Sequence, residues 1–479
     1  MESIALRYSS FDKYACNFLS QRFDRDTTVS KATPIPFLLL AIIAILGLLP
    51  LDLSSPPKPG DPLNSGDTAW MLTSSALVLL MTPGLSFFYG GMVGFKNVVS
   101  TMLQSVIALG LMSILWVTVG FGLAFGEDVG GLGLIGNPMT YWMFNGVCCD
   151  TGSLGSGSEI KLTIPLLVFS LFQLKFAIIT PALITGSFAE RVRFSSYLLF
   201  MILFSIVIYC PLAHMTWHPD GIFFKWGVKD FAGGTVVHMS AGWAALAGAL
   251  ILGRRKSHES GHDHVPANIP FVILGTGMLW FGWFGFNAGS ALKADSNAAV
   301  AFATTNTASA AAMLGWIFFD WMRGKKPSAL GACIGAVVGL VAITPGAGFV
   351  TVSQSIFIGL AASVISNLAV HYRTKSSLDD TLDVFPCHGV GGMTGMIFTG
   401  IFAALPADGS VTRADLLMAH GKALVLVSVF AFVASFILFK ITDAIIPLRV
   451  SPEQEAEGLD LSQHGEAALA TDIFGSAVV

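Results

Sequence analysis

The stretch Asp230-Phe231-Ala232-Gly233-Gly234-Thr235-Val236-Val237-His238 puts a carboxylate and an imidazole inside a run otherwise fit for lipid. An ionisable side chain in a membrane segment costs several kcal/mol unless it is partnered or faces a cavity, so it marks a functional site by default. A second imidazole, His388, lies in another apolar segment far downstream. The surroundings fit this reading. Hydrophobic residues make up 53% of the 479-residue chain and charged ones 12%, with a mean hydropathy of +0.70, outside the mix of a soluble domain. Apolar segments run about 20 residues, enough for a helix to cross roughly 30 Å of hydrocarbon, and lack the alternation of a transmembrane barrel. The expected fold class is therefore an all-α polytopic membrane protein, with the lipid bilayer as its solvent. A formal net charge of −4 gives no reason to invoke nucleic acid as a partner.

Residues 1–65 read as an N-terminal extension. Arg7, Lys13, Arg22, Arg25 and Lys31 precede an apolar segment, 37–51, that suits either a signal sequence with a long basic lead or an uncleaved anchor helix. Ser54-Ser55-Pro56-Pro57 is a poor cleavage site; cleavage would leave the new N-terminus outside. Residues 66–445 read as a transmembrane domain of eleven spans, at 69–91, 99–125, 162–188, 195–214, 231–252, 268–291, 297–319, 328–343, 350–371, 384–403 and 416–440, and 446–479 as a cytoplasmic tail. With the first span starting outside, the inside loops hold 13 basic residues, Arg254, Arg255 and Lys256 among them, and the outside loops hold 6. That bias orients the C-terminus to the cytoplasm of a multi-pass cell-membrane protein. Five is odd, so a second five-span unit would insert upside down. His238 and His388 occupy the fifth and tenth spans, each after an aspartate, Asp230 and Asp383. The chain thus reads as a five-plus-five inverted repeat with one extra helix and a site near the midplane.

Two readings of the histidines stay open. They are either separate polar residues knitting helices together, or a pair lining a narrow channel and sharing a nitrogen-to-nitrogen hydrogen bond that fixes both tautomers. A metal site is disfavoured, since two imidazoles fall short of the ligands zinc takes. Asp230 serves equally as a helix N-cap. Eight residues of helix rise about 12 Å, which keeps it away from His238. Trp217, Phe172, Phe176, Trp280, Phe281, Trp283, Phe284 and Phe286 gather at one end beside Gln173, Asn287 and Ser290. They form either an interfacial belt or an aromatic cup able to hold a small cation. Cys16, Cys148, Cys149, Cys210, Cys333 and Cys387 show no metal-ligand spacing. Cys148 and Cys149 are adjacent in an outside loop, where a bridge is strained and redox chemistry stays open. His258, His262 and His264 read as a solvated loop or a weak metal site.

Gly66-Asp67-Thr68-Ala69-Trp70, Ala189-Glu190-Arg191, Asp230-Phe231-Ala232-Gly233-Gly234 through His238, Trp283-Phe284-Gly285-Phe286-Asn287-Ala288-Gly289-Ser290, Thr344-Pro345 and Asp383-Val384-Phe385 through His388-Gly389 form a specific set. By them the chain resembles the ammonium transporter family (Amt/Mep/Rh), nearer the Amt branch, over about residues 66–470. The resemblance implies a homotrimer of eleven-helix subunits with one pore each, no enzymatic activity and no cofactor. Ammonium would bind at Trp217, Phe176 and Ser290 outside a gate of Phe176 and Phe286. Ammonia would then pass His238 and His388, with Asp230 as the structural aspartate that also serves deprotonation. Lys175 departs from the pattern beside Phe176 and is expected to snorkel outward or to pair elsewhere. Gly458-Leu459-Asp460 and His464-Gly465-Glu466 look like the family's regulatory tail segment, which implies a cytoplasmic regulator as a partner; a disordered acidic tail is the alternative. The rival functions are an ammonium sensor, a bidirectional gas channel of the Rh kind and an intramembrane enzyme. The last lacks a nucleophile or a full metal set near the histidines.

Overall fold

The computed structural model describes residues 35–48, 59–157, 159–259 and 265–468. The chain divides into two units, Met1–Asp52 and Leu53–Val479. In the first, helix α1 (Ile35–Leu46) has 12 residues, fewer than the about 20 of a full span. The basic lead 1–34 and residues 49–51 of the expected apolar segment lie outside the described residues.

In the second unit the backbone hydrogen-bonds within each apolar run, as hydrocarbon demands of any open segment. The helices are α2 (Ser65–Met92), α3 (Phe95–Phe125), α4 (Leu166–Phe188), α5 (194–217), α6 (Gly234–Leu252), α7 (Ile269–Gly289), α8 (Ser296–Met322), α9 (Ala329–Ile343), α10 (Val352–Thr374), α11 (385–402) and α12 (Arg413–Ile445). Each coincides with an expected span. Among the described residues, 8 helices are long and apolar enough to cross a membrane; α8, diluted by Asn297, Thr304, Thr305 and Asn306, the 15-residue α9, and α11 fall short. One boundary is corrected. The third span was expected from residue 162, but Ile160–Pro165 forms strand β2, antiparallel to strand β1 (Thr151–Leu154), and α4 starts at Leu166. Ile160, Leu162 and Ile164 alternate with Lys161 and Thr163, the period of a strand.

Polar caps set the helix starts. Asn64, Asn268 and Ser328 accept from the backbone of α2, α7 and α9, and Thr351 and Thr412 form reciprocal capping boxes with Gln354 and Asp415. Small residues set the spacing. A Cβ on Gly275 of α7 would strike the backbone of Gly84 and Phe88 in α2, and one on Gly242 of α6 would strike the backbone of Gly389 in α11.

Where the basic residues gather, one ion-pair network joins three connections. Arg255 Nη1 donates to Glu190 Oε2 (2.6 Å), its Nη2 and Nε donate to the two Asp379 oxygens (2.8 and 2.9 Å), and Arg191 Nη2 donates to the Asp379 carbonyl (2.6 Å). Burial alone would raise the Asp379 carboxyl, but the Arg255 hydrogen bonds and the Arg191 charge outweigh it and hold it well below the usual carboxylate range. Removing one member of such a buried pair strands the other's charge. Arg255→Met should therefore destabilise the protein by roughly 3–5 kcal/mol, read as a lower thermal midpoint in detergent. Because the folded Asp379 pKa lies below its unfolded value, its stabilisation is present above about pH 4 and is lost as pH falls further. The native midpoint should drop on acidification below that pH, and the Asp379→Asn midpoint should drop less.

Candidate functional site

His238 and His388 sit in matching places. Each lies in a widened π-helical turn that opens a half-helix, Gly234–Met239 before α6 proper and Phe385–Val390 before Gly391–Phe402. Such turns recur at functional sites because they re-aim a side chain without ending the helix. A carboxylate eight residues before each histidine caps its turn. Asp230 accepts from Gly233 N (2.9 Å), Gly234 N (2.6 Å), Thr235 N (2.8 Å) and Thr235 Oγ1 (2.5 Å). Asp380 accepts from Val384 N (3.1 Å) and Phe385 N (2.8 Å). This corrects the expected pairing of aspartates. Asp383 instead pairs with Arg373 at 2.6 Å, and the counterpart of Asp230 is Asp380. Gly233 takes φ of 108°, a region that penalises any Cβ, and a Cβ there would also press on Val237 and Trp217.

The two turns bring the imidazoles together. Their Nδ1 atoms are 3.3 Å apart, and both residues are buried. One Nδ1 must carry the shared proton and the other must be bare, so the rings are in opposite tautomers. One Nε2 is then an acceptor and the other a donor. His238 Nε2 has no partner among the described residues. Trp283 lies against the His238 ring at 5.3 Å and is pinned by its Nε1–H, which donates to Thr344 Oγ1 at 3.0 Å.

From His238 a file of rings leads toward the far end of the bundle. Phe286 stands 6.1 Å from His238, Phe176 stacks on Phe286 at 4.1 Å, and Trp217 meets Phe176 edge-on at 5.8 Å. The Trp217 Nε1–H donates to the Asp230 carbonyl (3.1 Å), which fixes the indole. Ser290 Oγ donates to the Phe286 carbonyl (2.8 Å), so its lone pairs remain for an incoming donor. Phe172 packs on Phe176 at 5.0 Å, and Gln173 Oε1 is buried without a partner among the described residues. Lys175 is half-buried, unlike the fully buried Phe172 and Phe176, with no hydrogen bond or ion pair among the described residues.

One supporting residue escaped the sequence reading. His420 on α12 is buried, its Nδ1–H donating to the Met396 carbonyl (2.9 Å) while its Nε2 accepts from Lys229 N (3.0 Å), next to Asp230. A lone histidine near a helix start gave no signal. His262 and His264 lie outside the described residues, His258 stands 3.9 Å from Asp379, and no cluster of three metal-ligating side chains exists among the described residues. The tail is packed through residue 464. Asp460 accepts from Val99 N (3.0 Å) and Ser100 N (2.7 Å) at the start of α3, and His464 Nε2 approaches Ser100 Oγ at 3.2 Å.

Apolar helices around a buried pair of histidines, with rings stacked above them, define a polytopic membrane protein with a polar centre. Comparison supplies the lineage: the profile of the Ammonium Transporter Family matches residues 69–469, and the chain belongs to that family. It is 44% identical over 416 residues to an ammonium transporter of Bacillus subtilis, covering 85% of this chain and 99% of that one. It is 41% identical over 410 residues to the ammonium transporter Amt1 of Archaeoglobus fulgidus, covering 85% and 100%. The solved structure of Saccharomyces cerevisiae Mep2 superposes with a TM-score of 0.74 at 31% identity, covering 84% of this chain and 94% of that one. A solved sensor Amt protein gives 0.76 at 29%, covering 83% and 98%. The family is one of transporters and not of enzymes.

Asp230→Ala would leave the Gly233, Gly234 and Thr235 donors buried and unpaired, at about 1–3 kcal/mol each. The thermal midpoint should fall sharply, and where protein survives, methylammonium uptake should be lost with it.

Proposed function

We propose that the chain is an ammonium transporter of the cell membrane, a homotrimer of eleven-helix subunits in which residues 66–445 form the pore domain and 446–479 a cytoplasmic tail. The equal spacing of Asp230 to His238 and Asp380 to His388, with the same capping chemistry, supports the inverted repeat. The observation that carries the mechanism is the continuous file Trp217, Phe176, Phe286, His238, His388.

Ammonium is captured at the outer end, where Trp217 and Phe176 offer ring faces and Ser290 offers lone pairs. Asp230 holds this mouth in shape, and its negative charge favours the cation and the departing proton nearby. Phe176 and Phe286, stacked at 4.1 Å, close the way inward, so passage needs a ring to swing. A bare cation entering a medium of low dielectric faces an idealised cost of order 20 kcal/mol, which aromatic ring faces offset only in part. Ammonium can leave a proton at the mouth and continue as ammonia; potassium cannot. Beyond the gate, the bare Nε2 of one histidine accepts from ammonia, and the Nε2–H of the other donates to it.

Replacing His238 and His388 together by Leu should abolish selective uptake of methylammonium in cells lacking their own transporters, recorded together with current. Unchanged uptake and unchanged discrimination against potassium in that variant would reject the assigned role.

The packed tail supports a regulatory reading, with the cytoplasmic regulator expected there. Its Asp460 caps α3, a helix without a side-chain cap of its own. Deleting the residues after Arg449 should lower uptake by more than about fivefold, and Asp460→Ala, which removes one cap of roughly 1 kcal/mol, by at most about fivefold. Full activity in the truncated protein would count against a regulatory tail.

A further inference from the structure

Cys148 and Cys149 have no part in the pathway described above. Both are exposed and free, and they are neighbours in the chain, joined by a trans peptide. Their backbone is held on both sides. The Cys148 carbonyl accepts from Leu167 N at 3.2 Å, the Asp150 carbonyl from Leu166 N at 3.0 Å, and the Thr151 carbonyl from Gly60 N at 3.1 Å. The first two acceptors stand in for the missing side-chain cap of α4, whose N-cap residue is Pro165. The same helix carries Phe172 and Phe176.

A bond between these sulfurs is disfavoured. Adjacent Cα atoms across a trans peptide stand about 3.8 Å apart, short of the roughly 4.4–6.8 Å a disulfide spans, and the hydrogen-bonded backbone cannot readily move to comply. What two neighbouring thiols can do with less backbone change than a disulfide demands is grip one soft ion between them. We propose that Cys148 and Cys149 form a dithiol site for soft, thiophilic ions, and that occupancy strains the carbonyl cap of α4 and slows transport. On binding, two S–H bonds break, two metal–sulfur bonds form and both protons go to water, with no change of oxidation state.

Phenylarsine oxide is a suitable probe, since its trivalent arsenic takes two close thiols and releases one water. The purified full-length chain should gain one arsenical by mass, resistant to 2-mercaptoethanol and removed by 2,3-dimercaptopropanol, and the Cys148→Ser and Cys149→Ser variants should gain none that resists the monothiol. No resistant adduct on the native chain, or one that persists in both variants, overturns the site. The inhibition rests on the transport reading. In proteoliposomes the arsenical should slow native methylammonium uptake by roughly fivefold, the effect of one weakened cap, while leaving the variants unchanged. A full adduct with undiminished uptake overturns the coupling to α4. Absent uptake before any treatment would instead indict the transport reading, and the adduct mass would still decide the site.

Discussion

The contact on which the rest of this molecule depends is the 3.3 Å approach of two imidazole nitrogens in a bundle built of Leu, Ala, Val and Phe. Side chains as short as histidine meet only if their helices nearly touch. They do so where Gly242 lies against the backbone of Gly389, one residue from His388 and four from His238. Any side chain at Gly242 would push the two half-helices apart and separate the rings. Gly392, across the same crossing, faces the Gly234 carbonyl and the His238 Cβ, so the close approach extends along both helices. The π-turns then supply orientation, because a regular α-turn would carry each ring to a different azimuth.

That geometry has an electrostatic consequence. A shared Nδ1 proton can bind only one of two rings, so the pair presents an acceptor and a donor side by side. Such a lining matches a neutral molecule that both gives and takes hydrogen bonds. A hydrated alkali ion would have to shed its shell against aromatic walls that return little of the lost energy. In the proposed mechanism, selection by proton loss follows from where polar atoms are withheld as much as from where they are given.

The sequence disclosed a good deal of this. Span positions followed from hydropathy, and the two histidines stood out because they fall in matching spans of the two halves, each after an aspartate. The file of Trp217, Phe176, Phe286 and the histidines came from the family resemblance, since aromatic residues in a membrane protein are common and their partners lie far apart in the chain. Other features were illegible for physical reasons. Asp383 is closer to His388 than Asp380 is, and only the fold reveals that Arg373 takes the nearer carboxylate while the farther one caps the turn. His420 depends on α12 passing beside the loop before Asp230, a tertiary fact without local pattern. The β1–β2 hairpin, by contrast, was readable from its alternation and was masked by the apolar run that follows.

The two ends of the bundle are built on one device. At the tail end, Asp460 binds the first free N–H groups of α3, and at the hairpin end the Cys148 and Asp150 carbonyls bind those of α4. Neither helix has a side-chain cap of its own, so each start is completed by a segment from elsewhere in the chain. A helix capped from outside is one whose first turn responds to the segment that caps it. Because α4 carries Phe172 and Phe176, loosening its start acts on the ring file directly. Loosening α3 acts on it only through packing, as where Trp116 donates to Ser170 of α4 at 3.1 Å. Control from the hairpin end should therefore be felt at the rings more strongly than control from the tail.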